Sequence, residues 1–328
     1  MPEPIISVRD LTIRYRTRES TIYATEGVSF DLRRGEILTI VGESGSGKST
    51  AGSAILRLLP GEADVLSGEV MFEGRNLLAL NEKDLRPVRG NKIAMIFQDP
   101  VAGLNPVLDI GSQVAEMLTS HISMSKKEAR ARAIEVLRDV GLSDPERVAK
   151  SYPFQLSGGM CQRVMIGIAT ALNPDVIIAD EPTSALDVTI QAQILYQLDE
   201  LRKERGTAIL LITHDFGVVA QMADDVAVMY AGRIVETGSV RDMLKAPLHP
   251  YTHALLATLP RVDGAHEHLR QIPGNPPEMN APAERCPFIP RCSKVMNVCR
   301  QEPAPPLVQP EGATHNVACY NPVWQRLD

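Results

Sequence analysis

Five short, mostly apolar runs recur along the chain: ILTIV (37–41), KIAMIF (92–97), DVIIAD (175–180), AILLITH (208–214) and DVAVMY (225–230). Runs of this length predict strands covered on both faces, as in a largely parallel sheet flanked by helices. Between Ile96 and Val176 that pattern stops. GSQVAEMLTSH and SKKEARARAIEVLRDVGL carry apolar residues at helical spacing instead, so a helical insert over about residues 99–165 interrupts the sheet. The expected fold class is α/β, a mixed sheet core with a helical subdomain. After about Lys245 both patterns fade. Of the 24 prolines, 14 lie between Pro247 and Pro322, which argues against a regular helical or sheet layer. Residues 246–328 therefore read as a small proline- and cysteine-rich extension to a domain spanning 1–245, and it needs some other means of holding its shape.

Composition changes this picture little. The 328 residues are 44% hydrophobic and 23% charged, ordinary values for a soluble globular protein. A net charge of -6 argues against a surface built to hold nucleic acid, and no nucleic-acid partner is expected. The start, MPEPIISVRDLTIRY, lacks the basic-then-apolar pattern of a secretory signal. The apolar runs also fall short of the ~20 residues a membrane-spanning helix needs. A soluble, cytosolic chain is expected, which weighs against disulfides among its five cysteines.

Chemistry enters at GESGSGKST, Gly42–Thr50, which fits G-x-x-x-x-G-K-[ST] between a strand and a helix. Gly42, Gly45 and Gly47 allow backbone conformations that turn consecutive N–H groups, including those of Ser44 and Ser46, toward phosphate oxygens. Lys48 adds a point charge for the β- and γ-phosphates, the Ser49 hydroxyl suits Mg²⁺, and Thr50 continues into the helix. VIIADEPTSALD (176–187) ends an apolar strand in two carboxylates, an expensive arrangement unless a cation or a water needs them. Asp180 is placed for the Mg²⁺ shell and Glu181 to polarise an attacking water. In LSGGMCQRV (156–164), Ser157 is a good N-cap, and Gly158 and Gly159 leave backbone N–H groups open to an anion. LLITHD (210–215) delivers His214 to the carboxyl end of a buried strand, and IFQDP places Gln98 at the end of another.

This ordered set resembles the nucleotide-binding subunit of ATP-binding cassette (ABC) transporters, from the N-terminus to about residue 245. The resemblance implies an ABC-type P-loop ATPase that uses ATP and Mg²⁺ and acts as a head-to-tail dimer with two sandwiched nucleotides. It implies that Ser157 and Gly159 serve the partner's site and that Glu181 is the general base. His214 would contact the γ-phosphate, with Gln98 linking Mg²⁺ to the insert and Asp187 of SALD joining the two sites. Tyr15 stands where the family keeps an adenine-stacking aromatic, with Tyr23 as the alternative. Cys161 departs from the basic residue expected after LSGGM, and is expected to adjust helix contacts without removing activity.

One cassette without a membrane segment points to an importer whose membrane subunits are separate chains. DPVAGLNPVLDIGSQVAE (99–116) and APLHPYTHALLATLP (246–260) resemble the peptide and nickel importer branch, whose ATPase subunits carry a cysteine-containing extension. The expected role is to power import of di- or oligopeptides from the cytoplasmic face of the inner membrane. The partners implied are a second ATP-binding subunit, two transmembrane permease subunits and an extracytoplasmic substrate-binding protein. A nickel or other small-solute importer, and a soluble ATPase in iron–sulfur cluster assembly, are the alternatives. Cys286, Cys292, Cys299 and Cys319 follow C-x5-C-x6-C and a long gap, a spacing that leaves zinc and a [4Fe–4S] cluster open. The resemblance implies the cluster.

Overall fold

Along Pro4–Arg16 (β1) and Thr21–Arg33 (β2) buried and more exposed side chains largely alternate, the period of a strand covered on one face. The structure, a computed structural model, describes residues 3–17, 20–183, 187–259 and 271–324. Next come β3 (Ile37–Val41), α1 (Lys48–Ile55), β4 (Ala63–Phe72), β5 (Arg75–Asn76), α2 (Glu82–Leu85) and β6 (Ile93–Ile96). Helices α3 (Ile110–His121), α4 (Lys126–Asp139), α5 (Pro145–Lys150) and α6 (Gly158–Thr170) follow without an intervening strand. Then come β7 (Val176–Asp180), α7 (Val188–Arg205), β8 (Ala208–Thr213), α8 (Phe216–Met222), β9 (Asp225–Tyr230) and β10 (Arg233–Ser239). The chain continues through α9 (Val240–Lys245), α10 (Pro250–Leu256), α11 (Asn297–Gln301) and β11 (Asn316–Val317).

The insert helices start where local chemistry sets them. Asp109 accepts from the Ser112 N–H ahead of α3, and Ser125 with Glu128 forms a reciprocal capping box at α4. Asp144 caps α5, whose first residue is Pro145, and Ser157 caps α6.

The chain divides into two compact units. The first comprises Met1–Leu32, Ile37–Leu78 and Ile212–Asp328, and the second Arg33–Glu36 and Ala79–Leu211. In the first, β2, β1, β4 and β5 are neighbours in that order, with Ile6 opposite Phe72 and Tyr15 opposite Ala63 in an antiparallel register. Also in this unit, β3 and β9 run parallel, Leu38 opposite Asp225 and Val41 opposite Val228, while β10 and β11 add antiparallel pairs. In the second, β6 and β7 run parallel, Ile93 opposite Val176. The combination is a mixed α/β fold, as expected from the sequence. The five apolar runs form β3, β6, β7, β8 and β9. The sheet of β1, β2, β4 and β5 was not legible in those runs, because its strands interleave polar residues.

Residues of the extension share the first unit's core. Phe288 is buried edge-on against Tyr230 and Tyr251, with ring centroids 5.2 and 5.4 Å away. It joins Val41, Val228, Val235 and Leu256 in one apolar cluster, against which Cys286 and Cys292 pack. Glu236 of β10, fully buried, accepts the N–H groups of Leu248 and His249 and pairs with His315 Nε2 at 2.7 Å. That pairing ties the start of α10 and the approach to β11 to one strand.

Candidate functional site

In the first unit the turn after β3 is held by close backbone approaches. Gly47 precedes α1 with φ +99°, and a Cβ there would lie 2.0 Å from the Ala24 carbonyl oxygen. Only glycine fits both demands. The Lys48 ammonium, buried, donates to the Gly42 and Glu43 carbonyls at 2.8 Å each and to Ser46 Oγ at 3.3 Å. It thus sits inside the loop it closes, at the start of the helix whose N-terminus favours an anion. Ser44, Gly45 and Ser49 are exposed beside it. Tyr15 Oη lies 3.1 Å from Thr50 Oγ1, so the aromatic chosen from the sequence stands next to the Gly42–Thr50 turn. Tyr23 instead donates its backbone N–H to the Met279 carbonyl. His214 follows β8 directly and is exposed.

In the second unit Asp180 ends β7, buried, and Glu181 follows it in the left-handed region at φ +44°. A non-glycine residue held there stores strain, which is concentrated at functional positions. Gln98 Nε2 donates to Glu181 Oε2 at 3.2 Å. Two residues 83 positions apart, singled out separately in the sequence, are therefore brought into contact. Ser157 accepts from the Met160 N–H at 3.3 Å as the N-cap of α6, with Gly158 exposed and Gly159 buried behind it. Asp187 caps α7 by accepting from Ile190, whereas Ser184, Ala185 and Leu186 of SALD lie outside the described residues.

Sequence reasoning missed the residues around Glu43. Its N–H donates to Tyr251 Oη at 2.9 Å, and its carboxylate takes both Nη atoms of Arg291, at 2.7 and 2.9 Å. No local spacing links positions 43 and 291.

Comparison with known proteins adds the family. A family described as "ABC transporter" matches residues 25–184, and one described as "Oligopeptide/dipeptide transporter, C-terminal region" matches residues 235–299. A probable peptide ABC transporter ATP-binding protein of Sinorhizobium fredii is 49% identical over 96% of this chain and 94% of its own length. The dipeptide transport ATP-binding protein DppD of Bacillus subtilis is 48% identical over 90% of this chain and 89% of its own. The chain belongs to this ABC transporter ATP-binding family. Among solved structures, the dimeric, post-hydrolysis ATP-binding cassette MJ0796 bound to ADP and Pi is similar at TM-score 0.65. It is 33% identical and covers 72% of this chain and 99% of its own. The ABC ATPase therefore carries an ATP-binding cassette and hydrolyses ATP.

The cysteines of this ABC subunit lie in two places. Cys161 is buried on α6, 3.6 Å from the Pro153 carbonyl, and burial pushes its thiol pKa up. Cys286, Cys292, Cys299 and Cys319 line one cavity of about 20 Å³. Burial pushes the Cys286 and Cys292 thiols up, and Cys319 up to about 12, with neighbouring cysteines adding to the effect at each. The four-thiolate metal centre expected from the sequence is not present as a formed ligand set: among the described residues, no group of three or more His, Cys, Asp or Glu is arranged to hold a metal ion. No described helix is long and apolar enough to cross a membrane.

Proposed function

We propose that this ABC ATPase powers the import of di- or oligopeptides, working on the cytoplasmic face of the cell membrane. Its partners are a second ATP-binding subunit, two permease subunits and an extracytoplasmic binding protein. The observation that carries this reading is that similarity to peptide-transport subunits runs through the C-terminal extension as well as the cassette. Residues 1–245 act as the nucleotide-binding domain and residues 246–328 as the branch-specific extension. Lys48 and the backbone of Gly42–Gly47 bind the phosphates, and Tyr15 stacks on the adenine. Ser49 and Asp180 hold Mg²⁺ with Gln98. Glu181 takes the proton of the attacking water and His214 steadies the γ-phosphate. Ser157, Gly158, Gly159 and Asp187 serve the site shared with the partner cassette. The Gln98–Glu181 contact supports this assignment, since it brings together the two residues proposed to handle Mg²⁺ and the attacking water. In an uptake assay, deleting the gene should abolish accumulation of labelled dipeptides and tripeptides, and the wild-type gene should restore it. Retained peptide uptake with loss of nickel uptake would instead select the metal-importer reading.

The four cysteines of the extension line one cavity but are not arranged as a ligand set; a [4Fe–4S] cluster, ahead of zinc, is the proposed occupant, and binding it would have to draw the four thiols together. Such a group would supply cross-linking of the loops between residues 286 and 319 and would bind its sulfurs as thiolates, against the burial that raises the thiol pKa of Cys286, Cys292 and Cys319. Anaerobically purified protein should then be brown, with about four irons per chain, and Cys292→Ser should bleach it. A colourless protein carrying one zinc would overturn the cluster.

A further inference from the structure

Arg291 precedes Cys292 in the extension, yet its guanidinium lies under the first side chain of the phosphate-binding turn. It donates to both oxygens of Glu43, while its Nε donates to the Pro273 carbonyl at 3.0 Å. Its Nη1 lies 3.3 Å from Tyr230 Oη, and its carbon sits 5.8 Å from the centre of the Tyr230 ring. Only 4% of the Arg291 side chain is exposed, against 25% for Glu43. This fork therefore fixes direction as well as charge. Glu43 is held at every handle: its N–H by Tyr251, its carbonyl by Lys48 and its carboxylate by Arg291.

The pairing matters because of where the carboxylate sits. Glu43 directly follows Gly42 in a turn whose N–H groups and Lys48 must receive a polyphosphate. An uncompensated anion there repels the nucleotide, and a half-buried one is screened less than a surface charge. If packing alone were at stake, an apolar pair of similar volume would join extension and turn as well, because buried ion pairs are weak devices for stability. A bidentate fork does something an apolar pair does not. It pairs both carboxylate oxygens with a cation and fixes their direction.

We propose that Arg291 is a positioning residue for ATP binding, through which the C-terminal extension keeps the Glu43 carboxylate neutralised and turned out of the phosphate site. The inference rests on the turn Gly42–Thr50 being the ATP site, and its test separates the two. Full-length protein is titrated with ATP by calorimetry, and thermal unfolding is recorded for each variant. Lys48→Ala should abolish binding; if it does not, the ATP-site assignment fails rather than the role of Arg291. Arg291→Met should weaken binding roughly tenfold, within the ~5–150-fold range of coupled sites, and Arg291→Lys much less. The deciding variant is Glu43→Gln with Arg291→Met. Removing the carboxylate should recover most of the lost affinity, a rescue that a purely packing role would not give. In the assembled transporter, Arg291→Met should raise KM for ATP more than it lowers kcat. Arg300→Ala, exposed in the same segment, should leave ATP affinity unchanged. If Arg291→Met does not fold, Arg291→Gln keeps a donor for the Pro273 carbonyl and carries the same expectation. Unchanged affinity in folded Arg291→Met or Arg291→Gln, or a double variant no better than the single, overturns the proposal.

Discussion

Glu181 combines a strained backbone with a donor on one carboxylate oxygen, so the residue is held rather than merely present. Glu181→Gln keeps its shape and the contact with Gln98 but cannot take a proton. Steady-state ATPase assays of the assembled transporter should show turnover lowered by ~10²–10⁴-fold, with ATP binding retained; wild-type turnover would reassign the base. Gly47→Ala tests the turn itself. Its backbone conformation alone costs ~1–3 kcal/mol for a non-glycine residue, and the added carbon meets the Ala24 carbonyl oxygen. Denaturant unfolding should show that loss or more, and ATP binding should fail with it. At this scale the sequence was informative wherever chemistry is local. Lys48, Ser157 and the Asp180–Glu181 pair are each legible within a few residues. Glu43 and Arg291 were not, because a charged side chain in a variable motif position says nothing about a partner that only the folded chain brings near.

Among the elements, α10 shows how a buried polar start is maintained. His249 is its N-cap, with Nδ1 accepting from the Tyr251 N–H at 3.1 Å, while its own N–H donates to Glu236. Burial lowers the His249 imidazole to about 4, against the opposing pull of Glu236. In the unfolded chain it titrates near ~6.5. As pH falls, the unfolded chain therefore takes up its proton first. This stabilisation is complete above about pH 6.5 and is lost progressively toward pH 4. Urea unfolding between pH 7 and 4.5 should show a smaller pH dependence in His249→Asn than in wild type, by up to ~3 kcal/mol; equal slopes would refute the assignment. Element prediction failed where burial is one-sided. Strands such as β2 carry polar residues on alternate positions, so a search for apolar runs passes over them.

Across the whole chain, the extension is structurally part of the first compact unit. Phe288→Ala should destabilise that unit by roughly 3–5 kcal/mol, and chemical denaturation followed by Tyr fluorescence should detect it. A loss confined to proteolysis near residue 288, with unchanged unfolding, would show that the extension has a separate core. The proline count was enough to end regular structure near Lys245, but it did not reveal that Phe288 completes a cluster begun by Val41. That cluster also imposes a timetable. The ribosome makes the turn at Gly42 about 240 residues before it makes Phe288 and Arg291, an interval of roughly 10–50 s at ~5–20 residues per second. During that wait the rings of Tyr230 and Tyr251, once made, lack their last apolar neighbour, and Glu43 lacks its counter-charge. The nascent cassette thus leaves the ribosome with sticky surface that only its final quarter can cover, which makes this stretch of synthesis the time when a chaperone is most needed.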